Sequence, residues 1–568
     1  MNKKVFICSL SLFGVAFLGG VFFLGKPVFK GIRSHFAKHS DYKPMPKTLI
    51  MEKKPFVVVV SACNTEEFVE KNMRSVLEQN YENFRIVFID NGSTDKTFQK
   101  ANEWVRKYKK MADTKFIRNA KKRPQTEYLY YAIGEMDSAE VVVLLEGKDW
   151  FSHADVLSEL NRYYNDPHVW LTYAQYSNFP EYERGEARSP IINAKKQIGI
   201  RSSPWIYSHY CSFYAGLFKR IKMRDLLYQG SFFQSKSSRA IMMPMLEMCD
   251  DHAVFIPTIL YVNNREQKKL LFVEEEAKNG RAYSRYIRSL KPYAKLRHHP
   301  KYEVAMQQEI DLFIFSQDRP MQLYSFLESQ KKYAAEINDV YVVYSASEER
   351  FTEGYALVQR QFPEVCFLKQ DMAVASLKKG VISLINKASS GYVAIAEDQL
   401  LLKDQLDIGT AIALLEKTGA YGFYFSLGLN LQNSPESYYR LEKECVAWQF
   451  GQAEKCWNQS HSLGMTLYRK DDLADTLARL NFHSIDAFKE AFTEKSNSAE
   501  LGICFRESKS VFNSFEIFRA KVGEKQVAYT PKELNELFLE GLKLDIRQIH
   551  RLFNKETSVS RVPHFIPR

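Results

Sequence analysis

The sequence predicts an α/β protein, two tandem domains of alternating strands and helices behind an N-terminal transmembrane helix. Three observations carry this. Short, wholly apolar, β-branched runs such as Phe56-Val-Val-Val-Val-Ser61 recur, each followed by an amphipathic helical stretch. The same grammar returns in the second half at an offset of about 255 residues, Ser61 onto Ser316 and Asp90 onto Ser345. Residues 5–24 are an uncharged run long enough to cross a bilayer core of about 30 Å.

Composition is consistent with this reading. A chain of 568 residues has room for several domains of about 150 residues each. Charged residues at 26% and hydrophobic ones at 45% exclude a disordered, collagen-like or polytopic membrane chain. The formal net charge of +12 suits anionic partners such as nucleotide phosphates or acidic lipid headgroups. No basic block interleaved with aromatics stands out, so nucleic acid is not an expected partner. Eight single cysteines without a C-x-x-C pair point to reduced thiols in a cytosolic setting, with no zinc.

Taken in order, residues 1–25 read as the anchor and 26–54 as a basic linker. Lys26, Lys30, Arg33, Lys38 and Lys43 follow the apolar run against Lys3 and Lys4 before it. That bias implies a single pass through a cytoplasmic membrane with the bulk of the chain cytoplasmic, the alternatives being a cleaved signal peptide and a type II luminal orientation. The first domain, 55–290, opens with strands at 56–61, 84–90, 114–118 and 139–146, separated by helices at 67–78, 96–111 and 127–135. The second, 308–530, repeats it with strands at 310–315, 340–344, 365–368 and 392–396 and helices at 320–333, 351–362 and 375–387. In the tail, 531–568, an amphipathic helix over 531–543 is expected to pack back on the second domain.

Ligands of an open α/β sheet bind beyond the carboxyl ends of its strands. Three strand ends are therefore candidates: Ser61-Ala-Cys-Asn64, Asp90-Asn-Gly-Ser-Thr-Asp95 and Glu146-Gly-Lys-Asp149. Asp90 closes an apolar strand, where a carboxylate can accept from a base N–H or a ribose hydroxyl. Ser93, Thr94 or Asp95 can cap the next helix. Taken alone, residues 91–95 read as a capped turn.

Taken together, these segments resemble glycosyltransferase family 2, with the GT-A fold. The resemblance is carried by Ser75-Val-Leu-Glu-Gln-Asn-Tyr81 leading to Asp90-Asn-Gly-Ser-Thr-Asp-Lys-Thr97, and by Val141-Val-Val-Leu-Leu-Glu-Gly-Lys-Asp-Trp150, similar to the family's metal-binding strand end. Asp166-Pro-His-Val-Trp170, Trp205-Ile-Tyr-Ser-His209 and Pro244-Met-Leu-Glu-Met248 continue it. The second half, through Asp311-Leu-Phe-Ile-Phe-Ser-Gln-Asp-Arg-Pro320 and Ala396-Glu-Asp-Gln399, resembles a further GT-A-like domain.

The resemblance implies a membrane-anchored enzyme moving a sugar, with inversion, from a nucleotide-sugar donor to a cell-envelope glycan or lipid. It implies Mg2+ or Mn2+ on carboxylate oxygens and a general base near the acceptor hydroxyl. By position, Ser61, Asn64, Asp90 and Lys148 would meet the nucleotide. Glu146 and Asp149 would hold metal in the first domain and Glu397 and Asp398 in the second, with Glu247 as the base. The chain also departs from the pattern. Lys148 stands where the family carries an acid, Glu146 replaces an Asp, and Ser237-Ser-Arg239 replaces an expected Asp. The second half shows Ser345-Ala-Ser347 instead of Asp-Gly-Ser. A non-catalytic scaffold that binds nucleotide or glycan is the alternative. An ammonium at position 148 could instead pair directly with the donor diphosphate. His209 and His252 read as ordinary polar residues.

Overall fold

The computed structural model describes residues 51–568 apart from 190–198, 267–273, 303–308, 371–376, 495–499, 514–519, 523–524, 528 and 560–562. The chain divides into two compact units, the first running to Val304 and the second from Ala305, with Lys222–Arg224 grouped with the second.

In the first unit the predicted series forms in order: β1 (Phe56–Ala62), α1 (Val69–Leu77), β2 (Phe84–Asn91), α2 (Thr97–Lys107), β3 (Thr114–Asn119), α3 (Gln125–Gly134) and β4 (Val141–Glu146). Phe56, Val57, Val58, Val59 and Val60 are all buried, which is why the run lacks alternation: both faces of the sheet are covered. Helix α1 buries Val69, Met73, Val76 and Leu77. Then come β5 (Trp150–Phe151), α4 (Val156–Tyr164), β6 (Leu171–Phe179), β7 (Cys211–Tyr214), α5 (Ser237–Cys249) and β8 (Ala253–Asn264). The strand order is β3-β2-β1-β4-β7-β6-β8-β5. The first four strands are parallel. Strand β7 runs antiparallel to both β4 and β6, and β6 is parallel to β8.

The second unit opens with β9 (Ile310–Gln317), α6 (Pro320–Tyr333), β10 (Ile337–Ser345), α7 (Glu349–Gln361), β11 (Cys366–Lys369), α8 (Leu377–Lys387) and β12 (Tyr392–Glu397). Later strands are β13 (Gly422–Tyr424), β14 (Cys445–Gln449), β15 (Gly464–Arg469) and β16 (Leu501–Phe505), with α9 (Ile485–Glu494) before the last. Their order is β11-β10-β9-β12-β15-β13-β16-β14. The first seven positions match the first unit in order and direction: four parallel strands, one antiparallel, then two parallel to each other. Helix α10 (Pro531–Leu539) starts in a capping box made by Thr530 and Glu533. It ends short of residue 543, because the chain turns at Gly541 into the strand Leu542–Leu544. Its Phe538 ring packs on Tyr324 of the same unit, centroids 5.4 Å apart.

One expectation is corrected. Residues 5–24, on which the anchor rested, lie outside the described residues. Among the described residues no helix is long and apolar enough to cross a membrane. The assignment to a cytoplasmic membrane as a single-pass protein is therefore not supported.

Candidate functional site

The carboxyl ends of β1, β2 and β4 open onto a cavity of about 680 Å³, lined among others by Ser61, Cys63, Asn91, Lys122, Arg123, Tyr128, Glu146, Lys148 and His209. Register sets Ser61 beside Glu146 at the ends of neighbouring parallel strands. The turn after β4 lies directly on β1: a Cβ on Gly147 would sit 2.6 Å from the Cβ of Ala62, so a side chain there would push the strands apart. Asn72, buried on α1, clamps this turn from below, its Nδ2 donating to the Asp149 carbonyl at 2.6 Å and the Glu146 carbonyl at 3.1 Å.

Charge in the turn is arranged around a lysine. Lys148 Nζ lies 3.0 Å from Glu146 Oε2, with the Lys148 side chain 15% exposed. Burial alone would lower the ammonium's pKa, but Glu146 and Asp149 outweigh it and hold it above the usual lysine value. Asp149 is fully buried. Its Oδ2 accepts from the Tyr210 hydroxyl at 2.7 Å and its Oδ1 from the Asn264 amide at 2.8 Å. Burial first, then the neighbouring Glu146 charge, push its carboxyl up to about 7.

Ligand atoms of Glu146, Asp149 and His209 lie within 4.8 Å of one another, the spacing of an acidic metal site. Their chemistry suits Mg2+ or Mn2+ poorly. One carboxylate already holds an ammonium, and both oxygens of the other accept from protein donors. Sequence reasoning set His209 aside. Its signal was its place at the end of the aromatic segment Trp205-Ile-Tyr-Ser-His209.

The Asn-Gly-Ser-Thr-Asp segment acts mainly as loop stitching. Asn64 is exposed, with φ +50°; its amide donates to Ser93 Oγ at 3.1 Å and its Oδ1 accepts from the Thr94 amide at 2.8 Å. The Glu66 amide donates to Asp95 Oδ2, and the Thr65 amide to Thr97 Oγ1. Asp90 is fully buried beneath the turn; its Oδ1 accepts from the Ser93 amide at 3.2 Å and its Oδ2 pairs with Arg118 at 3.2 Å. Gly92 has φ +75°, and a Cβ there would come within 2.6 Å of the Lys122 backbone nitrogen, so this position needs glycine. Ser61, Glu146 and Lys148 thus line the cavity, whereas Asn64 and Asp90 are not among its lining residues.

The other sequence candidates lie elsewhere. Glu247, on α5, is not among the cavity-lining residues. It is gripped by Arg201 and also accepts from the Tyr293 amide at 3.0 Å. In the second unit, Glu397 at the end of β12 pairs with Lys489 of α9 at 2.9 Å. Asp398 is fully buried, accepts from the Gln317 amide at 3.3 Å, and is pushed up by burial to about 6. Among the described residues, Glu397 and Asp398 do not join a three-ligand cluster.

The family described as Glycosyl transferase family 2 matches residues 57–224. "Bifunctional glycosyltransferase pgtA" of Dictyostelium discoideum is 26% identical over 190 residues, 29% of this chain and 24% of that protein. An uncharacterized glycosyltransferase of Haemophilus influenzae is 41% identical over 54 residues, 9% of this chain and 17% of that one. The chain thus spans about a quarter or less of these relatives' length. Among solved structures, the mannosyltransferase PcManGT from Pyrobaculum calidifontis, in complex with GDP-Man and Mn2+, is 17% identical with a TM-score of 0.31, covering 44% of this chain and 67% of that one. S. aureus TarS 1-349 in complex with UDP-GlcNAc is 16% identical with a TM-score of 0.32, covering 44% and 69%. Residues 57–224 are a glycosyl transferase family 2 domain.

Proposed function

We propose that the chain is a glycosyltransferase that binds a nucleotide-sugar donor in the cavity of its first unit and transfers the sugar, with inversion, to a glycan or lipid hydroxyl. The carrying observation is that the matched domain opens this cavity, with the basic residues Lys122, Arg123 and Lys148 among its lining, at the carboxyl ends of its parallel strands. A diphosphate brings negative charge that such a lining neutralises. Ser61 and Lys148 would face the donor, while Asn64 and Asp90 fix the loops that frame it. An inverting displacement needs one base at the acceptor hydroxyl, and His209 lies in the cavity to serve. The second unit, with the same sheet order, would be a further GT-A-like domain. The test is turnover of a panel of UDP- and GDP-sugars by the purified chain, read as released nucleoside diphosphate. Release with at least one donor is expected, and none across the panel would reject catalysis.

One observation favours the second reading, a binding scaffold without catalysis. The acid expected as base, Glu247, is locked in an ion pair with both side chains only 7% exposed. Nucleotide binding without turnover in the same assay would establish the scaffold.

A further inference from the structure

We infer that Lys148 stands in for the divalent cation, so that its ammonium neutralises the donor's diphosphate and the site works without metal. This rests on the nucleotide-sugar reading of the cavity. Lys148 belongs to the turn that register places beside Ser61, and it lines the cavity next to Glu146 and His209. Its Nζ is 3.0 Å from Glu146 Oε2 and its side chain is 15% exposed, so the charge is held at the cavity wall rather than swung into solvent. An ammonium has three donors, and a single contact to Glu146 leaves capacity for phosphate oxygens.

The same geometry argues against a metal. A cation within reach of Glu146, Asp149 and His209 would share the Glu146 carboxylate with the ammonium already on it. It would also have to displace the Tyr210 and Asn264 donors from Asp149, a carboxylate with no exposed surface. By spacing the cluster could take a cation; by charge it already has one. Lys122 and Arg123 add positive charge to the same cavity.

The experiment is equilibrium titration of the full chain with UDP and with GDP, in EDTA and in Mn2+. The chains compared are wild type, Lys148→Ala and Lys148→Arg, each checked for folding by circular dichroism. Wild type is expected to bind at least one nucleotide with affinities that agree within about threefold in EDTA and Mn2+. Lys148→Ala is expected to lose about tenfold or more in both conditions, the scale of one charge-assisted bond, and Lys148→Arg to retain most of the affinity. Wild-type binding that vanishes in EDTA and returns with Mn2+ would overturn the inference while leaving the nucleotide-sugar reading intact. Unchanged affinity in a folded Lys148→Ala would do the same. Binding of neither nucleotide under either condition would overturn the nucleotide-sugar reading and the inference with it.

Discussion

Arg201 grips Glu247 with one edge of its guanidinium, Nε to Oε1 at 2.7 Å and Nη2 to Oε2 at 2.8 Å, and both side chains are almost completely buried. A pair of this kind ties the loop around residue 201 to α5. Removing one partner strands the other charge in a poorly solvated place. Glu247→Ala is therefore expected to lower stability by about 3–5 kcal/mol. Urea unfolding of the variant checks this, and nucleotide affinity in the folded fraction should not change.

The turn after β4 supplies a second prediction. Gly147→Ala places a methyl group 2.6 Å from the Ala62 Cβ, so the 146–149 turn must lift off β1. Stability is expected to fall by about 1–3 kcal/mol, the scale of overpacking. Because the lift carries Lys148 with it, titration with UDP or GDP should show weakened binding as well.

Asp90→Ala removes the acceptor of the Ser93 amide and the partner of Arg118. Stability is expected to fall by about 1–3 kcal/mol, the cost of leaving the Ser93 amide and the Arg118 guanidinium without their acceptor. Urea unfolding measures it. A folded variant of unchanged stability would show that the turn does not depend on Asp90.

His299 makes stability depend on pH. Burial, and then the Lys301 charge, bring its pKa down from 6.5 to about 4, with its ring set edge-on to Tyr214 at 4.6 Å. Between those values the unfolded chain holds more protons than the folded one. The stabilisation is thus complete above about pH 6.5 and drains away as pH falls toward 4. Denaturant midpoints at pH 7 and pH 4.5 should show the drop, and His299→Phe should flatten it.

The sheets were legible because buried parallel strands have a signal that composition alone carries, as in Phe56–Val60. Helix starts were less so: the pattern placed α1 from residue 67, whereas it begins at Val69, whose amide donates to the Thr65 carbonyl. At the site, Ser61, Glu146 and Lys148 could be picked from strand ends. Their environment could not, since it comes from Asn72, His209, Tyr210 and Asn264, residues that only the folded sheet gathers. Glu247 misled for the same reason, as nothing near it in sequence announces Arg201.

In both sheets a late strand is inserted between two earlier ones: β7 enters between β4 and β6, and β15 between β12 and β13. A ribosome delivers these pieces in the wrong order for assembly. The first four strands of each unit can zip together as they emerge, but the open flank of β4 must then wait for Cys211–Tyr214. During that interval an unpaired, apolar strand edge faces the cell, the kind of surface that chaperones cover. The chain passes through this exposure twice, once per unit.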